Sequence, residues 1–257
     1  MKNQTLGFIG GGRITRIFLQ AFKNKNVKFK TIRVVDIKPE IILDLQSSFP
    51  EIEIGAHVEE IAGQDIIFIA LHPPLIMETL EKLKPLVRDN TVVISLAPKI
   101  NVEKIRSVLK VKNIVRLIPN ATSYINEGYN PIHFCHEFDY ALKDKIMAML
   151  EMLGNTFEVD ESKLEGYALI SAMLPTYFWF QWKELLLIGE QTGLSGDEST
   201  DAVFKSLQAA LNMMFCSGLN YENVTDLIPV KPIGDHEDEI KQVLRSKLMG
   251  LYEKIKP

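Results

Sequence analysis

Short apolar runs separated by amphipathic stretches open the chain. Residues 65–70 (DIIFIA) form a continuous β-branched and aromatic run, the pattern of a strand covered on both faces. Similar runs predict strands at 6–9, 32–36, 53–54, 91–95 and 114–117, with helices at 14–23, 41–49 and 75–86 between them. A strand-rich segment at 130–136 is expected to close the sheet. Strands alternating with helices in this way imply βαβ units around a parallel sheet, hence an α/β fold.

From about residue 139 the period changes. Residues 139–153 place Leu142, Ile146, Met149, Leu150 and Leu153 on one side of a helix. A strand-like 156–159 follows, then a long apolar helix over 161–192 with Pro175 marking a break. Asp197 is the expected N-cap of a helix at 198–216, and a last helix is expected at 238–254. Two domains result, 1–158 and 159–257, with no repeat or Ser/Gly linker between them. Residues 166–182 carry no charge, but the stretch is short for a bilayer, contains Pro175 and runs into Lys183 and Glu184. A helix buried in a core or a subunit interface is the better assignment. Tyr177, Phe178, Trp179, Phe180 and Trp182 put apolar bulk on all sides of it, so self-association as a homodimer is expected.

Composition narrows the class of partner. The chain has 257 residues, 29 basic and 33 acidic side chains and a formal charge of −4, which excludes a disordered, collagenous or disulfide-framework protein. An acidic chain lacks the positive field that phosphate neutralisation needs, so nucleic acid is not an expected partner, and neither is a membrane. The start, MKNQTLGFIGGG, does not read as a signal peptide. Cys135 and Cys216 stand in apolar surroundings without a CxxC and read as buried, reduced thiols of a cytoplasmic protein. The 5 histidines form no HExxH, and no metal is expected.

The strongest local signal is Gly10-Gly11-Gly12-Arg13-Ile14-Thr15, between a predicted strand and a predicted helix. In a dinucleotide fingerprint Gly10 would permit the tight turn, Gly12 the approach of backbone to a pyrophosphate, and the helix start at Ile14 oriented N–H donors. Thr15 occupies the third glycine position, where its bulk costs some closeness of packing. Asp36 ends the next strand, roughly 20 residues on, where a carboxylate accepts from both ribose hydroxyls of NAD and repels the extra phosphate of NADP. This leans toward NAD, although Arg13 and Lys38 could compensate a 2′-phosphate. Leu71-His72-Pro73 and Ser95-Leu96-Ala97-Pro98-Lys99 follow later strands and should line the crevice, since ligands of open α/β sheets bind beyond the carboxyl ends of the strands. His72 could donate to a cofactor phosphate or ribose, or simply bond to backbone. Lys99 reads as an exposed lysine leading into a helix.

Together with Val115-Arg116-Leu117-Ile118-Pro119-Asn120 and Asn126-Glu127-Gly128, these motifs resemble, in order and spacing, those of the pyrroline-5-carboxylate reductase family. The resemblance implies an N-terminal Rossmann-like domain, an all-helical dimerisation domain, and hydride transfer from a nicotinamide, NAD or NADP, to a cyclic imine or related keto substrate. It implies cofactor contacts at Gly10, Gly12, Arg13, Ile14, Asp36, Leu71, His72, Pro73 and Ala97. Substrate contacts are expected at Pro119, Asn120, Thr176 and Lys231, and no catalytic side chain is assigned. Glu127-Gly128 is expected to face the same crevice. The family's V-K-P lysine is His72 here, its S-G-S-G-P kink is Ser171-Ala172-Met173-Leu174-Pro175, and its S-P-G-G-T-T carboxylate loop is replaced by residues 227–235, which carry Lys231. Two alternatives stay open: a reductase resembling deazaflavin-dependent NADP reductases, and a non-catalytic dinucleotide-binding dimer or sensor.

Overall fold

Every strand expected from the apolar runs forms in the computed structural model, which describes residues 1–257. They are β1 (Thr5–Ile9), β2 (Thr31–Val35), β3 (Glu53–Gly55), β4 (Ile66–Ile69), β5 (Val92–Ser95), β6 (Asn113–Leu117), β7 (Gly128–Phe134) and β8 (Gly154–Glu158). They make one sheet in the order β3-β2-β1-β4-β5-β6-β7-β8. The first six are parallel; β7 runs antiparallel to β6, and β8 parallel to β7. Parallel neighbours require crossovers, supplied here by α1 (Arg13–Asn24), α2 (Pro39–Ser48), α3 (Pro73–Leu83) and α4 (Val102–Val108). After β7, α5 (Tyr140–Leu150) returns the chain to β8.

Both faces of the sheet are covered, which explains the unbroken apolar runs. One face carries Phe8 and Phe68, stacked with ring centroids 4.6 Å apart, under Phe18 and Phe22 of α1 and Ile146, Met149 and Leu150 of α5. The other packs Ile67, Ile69, Val93 and Ile114 against Ile76, Leu80 and Leu83 of α3 and Val102 and Ile105 of α4. The seven-residue α4 is the helix that Lys99 was expected to lead into, and its bounds went unread because the segment is too short for a helical period to stand out.

The contacts divide the chain into one unit of Met1–Ala172 with Tyr252–Pro257, and a second of Met173–Leu251. The division thus lies beyond the 158/159 boundary read from the sequence. Residues just past that boundary pack with the sheet: Leu164 and Ala168 are buried with Ile118, beside Ile255. The long helix expected over 161–192 is broken into α6 (Leu164–Tyr167), a wide π turn at Ala168–Ala172 closed by Ser171 Oγ donating to Tyr167 O at 2.8 Å, and α7 (Leu174–Gln191) with Pro175 in its first turn.

The second unit is helical: α7, α8 (Gly196–Cys216), α9 (Tyr221–Asp226) and α10 (Glu237–Ile255), the last running into the first unit's closing segment. A Cβ at Gly189 of α7 would meet Ser199 Oγ at 2.5 Å, so glycine is what lets α7 and α8 approach here. Ser195, not Asp197, caps α8: its Oγ accepts from Glu198 N, and Glu198 Oε2 accepts from Ser195 N. The expectation of two buried thiols holds for Cys135, whereas Cys216 at the end of α8 is exposed. The aromatic helix is not enclosed by its own chain, since α7 has no buried residue and Phe180 is 68% exposed. No helix is long and apolar enough to cross a membrane.

Candidate functional site

The site is built on the turn after β1. β1 lies between β2 and β4, the switch point at which open α/β sheets form a crevice. Gly10 adopts φ +100°, and a Cβ there would lie 2.5 Å from Ala70 O, so both conformation and space demand glycine. Thr15, fully buried at the third glycine position, turns its bulk to use: Oγ1 donates to Gly10 O at 2.5 Å and pins the turn to the first coil of α1. Gly12 is the N-cap of α1 without a side-chain cap, and a Cβ built there meets nothing within 4 Å. The first N–H groups of α1 therefore open onto free space, the arrangement that receives a phosphate. Arg13, exposed at the helix start, forms no ion pair, and Ile14 is half-buried.

Asp36, half-buried just beyond β2, braces this turn. Oδ2 accepts from Gly11 N at 2.8 Å and Oδ1 from Lys38 N at 3.0 Å. Each carboxylate oxygen keeps a second lone pair, so ribose hydroxyls can still be accepted. Beyond β4, Leu71 and Pro73 are half-buried and His72 is exposed as the N-cap of α3, with no hydrogen bond from its ring. The bland reading of His72, a ring bonded to backbone, is not what forms. Beyond β5, Ala97 is buried and Lys99 is exposed in left-handed backbone, φ +74°. Beyond β6, Pro119 is half-buried, while Asn120 is buried and caps the short turn at Ala121–Ile125, its Oδ1 accepting from Thr122 N and Oγ1.

Of the pair expected at the crevice, Glu127 is exposed and Gly128 is buried. A Cβ there would strike Ser123 Oγ at 2.0 Å and Leu153 O at 2.8 Å, so this glycine serves the packing of β7. Thr176 and Lys231 belong to the helical unit. Thr176 Oγ1 donates to Met173 O at 2.7 Å, and its side chain borders a groove of about 700 Å³ with Tyr177, Phe180, Ile233, His236 and Ile240. Burial pushes the Tyr177 phenol up from its ordinary range. Lys231 is exposed in the loop before α10. The structure thus gathers the cofactor candidates at the strand ends of the first unit and holds Thr176 and Lys231 in the second.

Reading the sequence assigned no role to Arg116 or to its partners. Arg116 on β6 is 1% exposed; Nη2 donates to Glu165 Oε1 at 2.5 Å and Nη1 to Glu161 Oε1 at 3.1 Å. The same two oxygens accept from Lys99 N at 3.3 Å and Val102 N at 2.7 Å. A guanidinium inside an apolar strand must be paired, and two glutamates four apart share a helical face. Those were the available signals.

Sheet order, glycine turn and open helix start together define a Rossmann-type first unit. A family described as NADP oxidoreductase coenzyme F420-dependent matches residues 5–99. Pyrroline-5-carboxylate reductase of Corynebacterium melassecola is 22% identical over 252 residues, 96% of this chain and 93% of that protein. Among solved structures, a Plasmodium falciparum pyrroline carboxylate reductase with NADP bound superposes at a TM-score of 0.80, with 22% identity over 100% of this chain and 98% of that one. The Streptococcus pyogenes 1-pyrroline-5-carboxylate reductase gives 0.79, at 15% identity over 100% and 99%. Over nearly its whole length the chain is thus similar, at low identity, to pyrroline-5-carboxylate reductases.

Proposed function

We propose that the protein reduces a cyclic imine carboxylate of the pyrroline-5-carboxylate type at the expense of a reduced nicotinamide dinucleotide. The observation that carries this reading is the uncapped glycine turn at the sheet's switch point, with Gly10 held against Ala70 O and open space before Gly12. A bound nicotinamide supplies the hydride; the chain's task is binding, orientation and exclusion of water. Gly10, Gly12, Ile14 and the first N–H groups of α1 hold the pyrophosphate, with Arg13 adding charge. Asp36 takes the ribose hydroxyls and tilts the choice toward NAD; the exposed amines and guanidinium of Lys38 and Arg13 are what would oppose that tilt. Leu71, His72, Pro73 and Ala97 line the nicotinamide side, where the unpartnered His72 ring can donate to the cofactor.

Pro119 and Asn120 meet the substrate from the strand ends, and Thr176 and Lys231 serve it from the helical unit, Lys231 through the substrate's carboxylate. The first unit is then the dinucleotide domain and the second the substrate and homodimer domain, the exposed aromatic residues of α7 supporting the latter. The free thiols Cys135 and Cys216 agree with a cytoplasmic setting.

The test is titration with NADH and NADPH, followed by pyrroline-5-carboxylate while absorbance of the reduced nicotinamide is recorded. Binding followed by oxidation is the expected result. Binding without oxidation would remove this substrate and leave a sensor or another hydride acceptor, and no binding would remove the cofactor site itself.

A further inference from the structure

Loops beyond parallel strands are where a Rossmann-type sheet meets its ligand, and the loop between β5 and α4 is held in an unusual way. It turns through Lys99 at φ +74°, a strained conformation that a non-glycine residue keeps only where its surroundings over-determine it. The fixing groups come from far along the chain. Glu165 Oε1 accepts the Lys99 amide and Glu161 Oε1 the Val102 amide, and both oxygens are gripped by the single guanidinium of Arg116. Arg116 and Glu165 are each 1% exposed, and a buried charge of this kind is retained at a desolvation cost that apolar packing would avoid. Ser95, in register with Arg116 across β5 and β6, leaves its Oγ unpaired, and so does Arg116 Nε, so the cluster is not a fully satisfied structural network.

We infer that Arg116, Glu165 and Glu161 are positioning residues: they clamp residues 97–102 in the conformation that sets the nicotinamide against the substrate carbon. The inference rests on the proposed cofactor site at the strand ends. Misplacement of a reacting group by about 1 Å can cost about 10²-fold in rate, so the clamp should act on turnover more than on binding.

Two apolar variants test it. Glu165→Leu leaves Arg116 paired with Glu161, and Glu161→Leu, at a position 27% exposed, leaves it paired with Glu165. In each, hydrogen exchange at the Lys99 or Val102 amide should quicken. NADH and NADPH affinity should stay within about threefold, while kcat for pyrroline-5-carboxylate falls roughly 10²-fold. Glu165→Gln keeps an oxygen for the amide and the guanidinium and should restore most of kcat. If Glu165→Leu fails to fold, Glu161→Leu is read by the same measurements. Wild-type kcat in a folded apolar variant, with binding intact, overturns the inference alone. A wild-type protein that binds neither nicotinamide overturns the cofactor site and this inference with it.

Discussion

A single atom decides whether the turn after β1 exists. Adding a Cβ at Gly10 brings carbon to 2.5 Å from Ala70 O at a φ that side chains avoid. Gly10→Ala should therefore lower stability by at least about 2 kcal/mol in denaturant titration and abolish dinucleotide binding in the same preparation. Asp36 is a gentler probe because it serves both turn and ribose. Asp36→Asn keeps an oxygen for Gly11 N but removes the charge, so the NADPH-to-NADH affinity ratio should rise about tenfold, near 1.4 kcal/mol; an unchanged ratio in paired titrations would remove its ribose role. His72→Ala should weaken binding about tenfold, as expected for one hydrogen bond to a charged group. At this scale the sequence was informative where a residue type has one physical use, as at Gly10. It was silent where partners are distant: nothing in the strand around Arg116 names Glu161 or Glu165, which come together only when the chain folds. Thr15 was legible as bulk but not as a hydroxyl that holds the turn.

Among elements, all eight strands lie where the sequence placed them; burial on both faces leaves an unmistakable composition in inner strands such as β4 and β5, whereas the edge strands β3 and β8 are largely uncovered and left a weaker mark. α9 was missed and α4 was foreseen only as a helix following Lys99, since at 6 and 7 residues they are too short to display a period. The cap of α8 was displaced by two residues because Ser195 and Asp197 are both competent caps, and only the reciprocal bonds with Glu198 separate them. Ser195→Ala should cost about 1 kcal/mol in denaturant titration. The Ser195 backbone N–H, and then its hydroxyl, hold the Glu198 carboxyl below the usual carboxylate range. A lowered folded value means the contribution of Glu198 is present above its unfolded pKa and disappears as pH falls through the folded one. The stability difference between wild type and Glu198→Gln should accordingly be measurable at pH 7 and absent at strong acid.

For the molecule as a whole, the helical unit sets the question of assembly. Its α7 and α10 contain no buried residue and α8 only Ser199, while Phe180, Phe204 and Phe215 are 68%, 64% and 75% exposed. Apolar surface on this scale is seldom left to water, and sedimentation equilibrium at micromolar concentration should give twice the 29.2 kDa chain mass; a well-behaved monomer would end the dimer proposal. The aromatic cluster was legible in sequence, but the enclosure expected for it is not supplied by its own chain, in which α7 keeps no buried residue. The return of residues 252–257 to the first unit makes the helical unit an insertion within it, and this bears on synthesis. All eight strands leave the ribosome before residue 159, so the sheet can assemble while α7 to α10 are still being translated. The small apolar patch of Ile118, Leu164 and Ala168 stays without its Ile255 neighbour until almost the last helix has emerged, which at roughly 5–20 residues per second is an interval of several seconds. Until then the patch lacks the cover that Ile255 gives it in the folded chain.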